Sequence, residues 1–197
     1  MKFRMLGTEI YVSFLFAAVI AFMLATDRTG LVIPTLLASL IHEAGHLFAM
    51  WIADAQPKRI RLIPASIQIV RGLSPKKEGE AAIALAGPAA NFAVFLSLFL
   101  NYLLFKKQAV LEFSLLQLIL CVFNLLPVSG LDGGTLLCLL LSKKYDTLKA
   151  EGIVRIVTAV FAAAVFVMGV WIWVSESFNL SVFIIAVYLA IGCVIRG

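Results

Sequence analysis

Long apolar runs follow one another along almost the whole chain, and they restrict the possible folds more than any other feature. A helix needs about 20 apolar residues to cross roughly 30 Å of hydrocarbon. By that measure the predicted spans are 10–26, 31–53, 81–105, 110–128, 153–174 and 178–195. Only 14% of the residues are charged, whereas a soluble domain carries about a quarter. We therefore expect an integral, multi-pass membrane protein in a lipid bilayer.

The basic residues predict the orientation of these spans. If the N-terminus is cytosolic, all but three of the 16 Lys and Arg residues fall in cytosolic segments, the exceptions being Arg28, Lys106 and Lys107. Cytosolic loops of membrane proteins carry such an excess of basic residues. Both termini are therefore predicted to be cytosolic. The same asymmetry accounts for the net charge of +5, and no nucleic-acid partner is expected.

The stretch "RIRLIPASIQIVRG" (59–72) differs from the other loops because β-branched residues flank its Pro-Ala-Ser turn. This pattern predicts two short strands, although a basic, solvated loop is the alternative. A free strand edge could add an extended peptide, with Ile67 and Ile69 as the substrate-binding candidates. The predicted fold class is an all-α polytopic membrane protein: six transmembrane helices with a short membrane-associated β-hairpin between helices 2 and 3, in one domain over 1–197.

The motif H-E-x-x-H stands in the middle of the second predicted span, "LIHEAGHLFAM" (40–50). Residues four apart lie on one face of a helix, so His42 and His46 can direct two imidazole nitrogens at one metal ion. Glu43 lies beside such a site, where it can accept a proton from an activated water. The alternatives are a packed polar network and an ion path, because ionisable residues inside a span are functional but not always catalytic.

A hydrolytic zinc site needs a third protein ligand, and Asp132 is the best placed of the four aspartates. It lies in "FNLLPVSGLDGG" (123–134), where Pro127 and three glycines predict a broken span. At 1.5 Å per residue, the histidines lie roughly 12–18 Å and Asp132 about 16 Å from the cytosolic boundary. The alternative is that Asp132 only caps the short helix 133–142.

A third motif, "LAGPAAN" (85–91), lies in the third predicted span. Gly87 and Ala90 favour close helix packing, and Pro88 favours a kink. Asn91 needs a partner if it is buried, and it is a substrate-binding candidate.

Together these motifs resemble the site-2 protease family of intramembrane zinc metalloproteases, with the closest match to the stage IV sporulation protein FB group. The matching residues are H-E-x-x-H at 42–46, G-P-x-x-N at 87–91 and N-x-x-P-x-x-x-L-D-G-G at 124–134. The resemblance covers nearly all of the chain. It implies one zinc ion held by His42, His46 and Asp132, with Glu43 activating the water. It also implies that Asn124 lies near the substrate.

The resemblance further implies cleavage of a membrane-spanning or membrane-tethered protein near the cytosolic face, releasing a regulatory protein such as a transcription factor. A bacterial cell membrane is the expected location, around the forespore if the sporulation likeness holds, and a regulatory membrane protein is a possible partner. Two departures are a chain that ends at Gly197 without a C-terminal nucleotide-sensing domain, and Ala65-Ser66 at a usual glycine pair. A non-catalytic membrane-protein-binding relative and a metal-ion transporter are the rival functions.

Overall fold

The computed structural model describes residues 2–5, 8–55, 57–63, 66–71 and 77–175 of the 197-residue chain. These ranges form four strands and six helices. In chain order the elements are β1 (Lys2–Met5), β2 (Thr8–Val12), α1 (Phe14–Thr26), α2 (Val32–Ile52), β3 (Pro57–Ile63), β4 (Ser66–Arg71), α3 (Lys77–Phe105), α4 (Gln108–Asn124), α5 (Asp132–Leu141) and α6 (Thr147–Ser175).

The chain divides into two compact units, residues 1–121 and 122–197. The first contains the sheet, the helices α1 to α3 and nearly all of α4. The second contains α5 and α6, which pack against each other. The single domain that we predict over 1–197 stays a prediction.

The four strands form one sheet in the order β1-β2-β3-β4. β1 pairs antiparallel with β2, and β3 pairs antiparallel with β4, with Ile60 opposite Ile69. β2 and β3 run parallel, with Glu9 opposite Arg59, so the connection between them holds both α1 and α2. Isoleucine and valine recur in β2, β3 and β4, and β-branched residues favour the extended backbone.

The predicted fold class, all-α with six transmembrane helices and one short membrane-associated hairpin, is wrong. Within the described ranges three helices are long and apolar enough to cross a membrane, namely Val32–Ile52, Gly79–Phe105 and Thr147–Trp171. The helices α1, α4 and α5 are apolar but shorter, with 13, 17 and 10 residues. The strands form a four-stranded sheet that includes the N-terminus, not an isolated hairpin.

Local changes of the backbone explain why two of the spans were predicted too long. The apolar run 10–26 begins inside β2, so its helical part starts only at Phe14. The run 110–128 loses its helix at Asn124, shortly before Pro127, which cannot donate a helical hydrogen bond. Hydropathy measures apolar length and does not register either change of backbone. The predicted span 178–195 lies outside the described residues.

The turn between α1 and α2 is organised by the carboxylate of Asp27. Its Oδ2 accepts a hydrogen bond of 3.1 Å from the backbone N–H of Val32. Its Oδ1 accepts bonds from the backbone N–H and hydroxyl of Thr29 and from the N–H of Gly30. The Val32 bond is the main reason that the pKa of Asp27 lies below its ordinary value, and the Thr29 and Gly30 bonds act in the same direction. The charged form of Asp27 therefore stabilises the start of α2.

The pKa of Asp27 predicts a small acid sensitivity of this turn. A lowered pKa in the folded protein means that the stabilisation is complete above the unfolded value of about 3.9 and is lost as the pH falls through the folded value. Asp27→Asn should therefore reduce the fall in melting temperature between pH 5 and pH 3, as measured by thermal unfolding in detergent. Equal falls in both proteins would contradict this role.

Candidate metal centre

α2 presents one buried face and one face suited to lipid. Ala38, His42, His46 and Met50 recur every four residues and are all buried. The large apolar side chains on other sides are exposed, namely Ile33, Leu37, Leu40, Phe48, Trp51 and Ile52. The helical period therefore directs both histidines into the protein and the aliphatic and aromatic residues outward.

The two histidines contact each other through the nitrogens that a metal would use. Nε2 of His42 and Nε2 of His46 are 3.2 Å apart, and the two rings are nearly perpendicular, at 83°. The Nδ1 of His46 lies 2.7 Å from the backbone carbonyl oxygen of Ile83. If Nδ1–H donates this bond, the ring is held in place and the lone pair of Nε2 faces His42.

The separation of the two Nε2 atoms fits a shared zinc ion. Zinc–nitrogen bonds of about 2.0–2.1 Å at a tetrahedral ion place two nitrogens roughly 3.3–3.4 Å apart. The observed 3.2 Å is close to this value. The hydrogen bond to Ile83 is also the kind of outer contact that orients metal-binding histidines. The first unit therefore supplies two imidazole nitrogens at a separation that a zinc ion could bridge.

α3 packs closely against these histidines because glycine, without a side chain, stands at position 87. A Cβ added at Gly87 would lie 2.7 Å from Cε1 of His46 and 2.8 Å from Cε1 of His42. A Cβ at Gly45 would lie 2.8 Å from the Cβ of Ala90, and it would also meet the carbonyl oxygen of Ala86. The close packing predicted for "LAGPAAN" is confirmed. Sequence reasoning missed that Gly87 faces the imidazole rings, because this depends on the rotation of α3 relative to α2.

The remaining motif residues of α3 are also buried. Pro88 lies inside the helix without ending it, and Asn91 is 0% exposed. Met50, Ala55 and Ile83 form a small apolar cluster, and Ile83 is also the residue whose carbonyl contacts His46. The assignment of Asn91 to substrate binding stays a prediction.

Glu43 lies on α2 directly after His42 and is half-buried. It is therefore not on the face of Ala38, His42, His46 and Met50, which is fully buried. This position beside the histidine pair is what the H-E-x-x-H spacing provides on a helix.

In the second unit, Asp132 is the first residue of α5 and is half-buried. The N-cap residue is Leu131, without a side-chain capping bond, so the alternative of Asp132 as N-cap is wrong. The break predicted between α4 and α5 is confirmed, and Gly130 in it has a φ of 100°. Gly133 and Gly134 lie against the backbone carbonyls of Leu125 and Val128, where no Cβ fits.

A buried threonine of α6 holds the turn that precedes Asp132. The backbone N–H of Ser129 donates a 2.8 Å hydrogen bond to Oγ1 of Thr158, which is 0% exposed. The Thr158 hydroxyl in turn donates to the carbonyl of Val154. The apolar residues Val128, Leu131 and Ala162 pack around the same turn. Sequence reasoning missed Thr158, since a single threonine in an apolar run carries no signal.

Thr158→Val is therefore expected to destabilise the second unit. The variant keeps the shape of the side chain but leaves the Ser129 N–H without its acceptor, which typically costs about 1–3 kcal/mol. Thermal unfolding in detergent should show the loss, whereas Thr158→Ser should retain most of the stability. A Thr158→Val protein as stable as the wild type would contradict the anchoring role.

A cavity of about 200 Å³ opens beside this turn. Its lining is Ser129, Gly130, Gly134, Thr135, Cys138, Glu151, Val154 and Arg155. Two charged side chains and two hydroxyls on its wall make it a place for water, next to the backbone that carries Asp132.

The other predicted substrate-binding residues lie on α4 and β4. Asn124 is the half-buried last residue of α4, and Ile67 and Ile69 belong to β4.

Comparisons with curated proteins find a zinc metalloprotease and a sporulation protein. The chain is 29% identical over 163 residues to a zinc metalloprotease of Methanocaldococcus jannaschii, covering 77% of this chain and 48% of that protein. It is 30% identical over 174 residues to stage IV sporulation protein FB of Bacillus subtilis, covering 86% and 59%. The chain thus spans about half the length of these curated relatives. No family model matches the chain.

A solved structure extends the likeness to the fold. The site-2 protease from Methanocaldococcus jannaschii superposes with a TM-score of 0.74 and 26% sequence identity. The match covers 98% of this chain and 93% of that one. The apolar helices agree with a membrane protein. Together with the sporulation protein and the archaeal metalloprotease, this structure shows that the chain is similar to the site-2 proteases in sequence and in fold.

Proposed function

We propose that this protein is an intramembrane zinc metalloprotease that cleaves membrane-spanning or membrane-tethered proteins. The observation that carries the proposal is the histidine pair of α2, buried at 6% and 8% exposure with facing Nε2 atoms. The pair belongs to an H-E-x-x-H motif inside a helix long enough to cross a membrane. The names of the related proteins support the same reaction.

His42, His46 and Asp132 are the proposed ligands of one zinc ion per chain. Two imidazole nitrogens and one carboxylate oxygen form a ligand set that zinc accepts in hydrolytic enzymes, which keep a further position open. Asp132 enters this set from the first turn of α5, with its backbone fixed by the glycines that follow it.

Glu43 is the proposed general base. In such a site, a bound zinc ion polarises the scissile carbonyl and lowers the pKa of the attacking water. The carboxylate of Glu43 takes the proton of that water and returns it to the leaving amine. The hydrogen bond from His46 to Ile83 keeps the imidazole orientation unchanged during this transfer.

The proposed substrate contact is the strand β4. It has β3 on one side and is the last strand in the order of the sheet. A substrate segment must leave its helix before its carbonyls can be attacked, because helical carbonyls accept backbone hydrogen bonds. Addition beside Ile67 and Ile69 would hold that segment extended, with Asn124 as a further contact.

The proposed orientation places both termini and the sheet on the cytosolic side. The support is the distribution of Lys and Arg, which are numerous in 58–77 and 143–155. Cleavage then occurs near the cytosolic face of a bacterial cell membrane. A regulatory membrane protein that controls substrate access is a further part of this proposal.

The first test is metal binding by the purified protein. After chelation and return of zinc, the wild type should hold one zinc per chain by elemental analysis. Asp132→Asn should weaken zinc affinity by roughly 10-fold or more, because an amide oxygen replaces a charged ligand. The exposed Asp146→Asn is the matched control and should bind as the wild type does. Wild-type affinity in Asp132→Asn would refute the proposed ligand set.

The second test is proteolysis in a host membrane. New protein N-termini next to transmembrane segments should appear when the wild type is expressed and be absent with an empty vector. If no such termini appear while zinc binds with the expected affinity, the chain is a non-catalytic member of its family.

A further inference from the structure

The middle of α4 carries a polar face that the reaction does not use. Ser114, Gln117 and Cys121 are its buried residues, and their spacing of three and four places them on one side of the helix. Leu115, Ile119 and Val122 on other sides are exposed, at 42%, 61% and 56%. α4 therefore directs apolar side chains to its surroundings and a carboxamide inward.

Gln117 is buried without a hydrogen-bonding partner in the described part of the protein. The residue is 0% exposed, and neither Nε2 nor Oε1 has a partner there. The neighbouring Ser114 differs, because its hydroxyl donates to the carbonyl of Leu111 at 2.7 Å. Nearly all buried polar side chains in proteins are hydrogen-bonded to protein or to ordered water. A carboxamide with two donors and two acceptors therefore indicates a small polar ligand.

We propose that the Gln117 carboxamide binds an internal water molecule on the buried face of α4. Water both donates and accepts, so it can satisfy Oε1 and Nε2 together. An ion fits less well, since the buried residues of this helix carry no charge and Glu112 is exposed. A second protein chain is excluded as the partner, because the side chain is already fully covered. This water site goes beyond the proposed protease function.

Oxidation of the Cys121 thiol can be used to detect this water. It lies one helical turn from Gln117 and is 6% exposed, so radicals formed in bulk solvent reach it poorly. Brief X-ray irradiation generates hydroxyl radicals from bound water, and a thiol beside that water is oxidised. Mass spectrometry of the intact, zinc-loaded protein in detergent then measures oxidation of Cys121.

The expected result is oxidation of Cys121 in the wild type and a fall of roughly 10-fold in Gln117→Met, which retains the side-chain length but binds no water. Gln108→Met is the matched control, at an exposed position on the same helix, and should match the wild type. An unoxidised wild-type Cys121, or equal oxidation in Gln117→Met, overturns the proposal, as does an equal fall in the control.

A measurement on the wild type alone covers the case in which Gln117→Met fails to fold. A radical scavenger dissolved in the solvent should leave the oxidation of Cys121 largely unchanged, because radicals formed from an internal water react before they reach the solvent. Oxidation of Cys138, on the wall of the open cavity, should fall. Equal suppression at both cysteines would contradict an internal water beside Cys121. Neither measurement depends on proteolysis, so both outcomes are independent of the protease proposal.

Discussion

Glu43→Gln is expected to abolish proteolysis while zinc remains bound. Glutamine retains the size of the side chain but cannot accept the proton of the attacking water, and loss of a general base typically costs about 10²- to 10⁴-fold in rate. Glu43 lies next to His42 but outside the fully buried face of α2. The proposed zinc ligands should therefore be undisturbed. The measurement compares new N-termini and zinc content in membranes that express each protein.

The matched control for this experiment is Glu112→Gln, which makes the same chemical change at an exposed position of α4. It should cleave as the wild type does. A Glu43→Gln protein that cleaves at the wild-type rate would remove Glu43 from the mechanism. Loss of zinc together with cleavage would instead assign Glu43 to the stability of the metal site.

Gly87→Ala, on the neighbouring helix α3, is expected to disrupt the proposed metal centre. The added methyl group would lie within 2.7 Å of His46 and 2.8 Å of His42, so the rings must turn away from their present positions. The hydrogen bond from His46 to Ile83 would then be lost. Removal of such orienting contacts typically weakens metal affinity about 10- to 100-fold. A competition titration with a zinc chelator measures this change.

Gly152→Ala is the control for Gly87→Ala. Both glycines lie inside helices, but a Cβ at Gly152 meets nothing within 4 Å. That substitution should leave zinc affinity unchanged and stabilise the helix slightly, by about 0.5–1 kcal/mol. If Gly87→Ala behaved like Gly152→Ala, the histidine rings would have free space that the packing of α3 does not indicate.

The sequence predicted the long helices better than the sheet. Length and hydropathy locate α2 and α3 within four residues of their observed ends, because a continuous apolar helix is a local property. The N-terminal strands were missed for the opposite reason. Thr8–Val12 is held by pairing with Pro57–Ile63, about fifty residues away, and an apolar run contains no information about such a partner.

In the candidate site, too, the sequence predicts the local features but not the contacts between separate elements. The four-residue spacing of His42 and His46 is sufficient to place them on one helical face. The surroundings of those rings come from Ile83 and Gly87 on another helix. Their part in the site depends on a backbone carbonyl and on a missing side chain, neither of which is recognisable as a functional residue in a sequence.

The parallel pairing of β2 with β3 has a consequence for membrane insertion. The two strands are hydrogen-bonded neighbours, and β2 lies directly before α1 while β3 follows α2. The beginning of α1 and the end of α2 must then lie at the same membrane surface. The chain between them makes an even number of crossings, whichever way the protein is inserted. A reporter fused near residue 56 should therefore report the same compartment as one fused to the N-terminus.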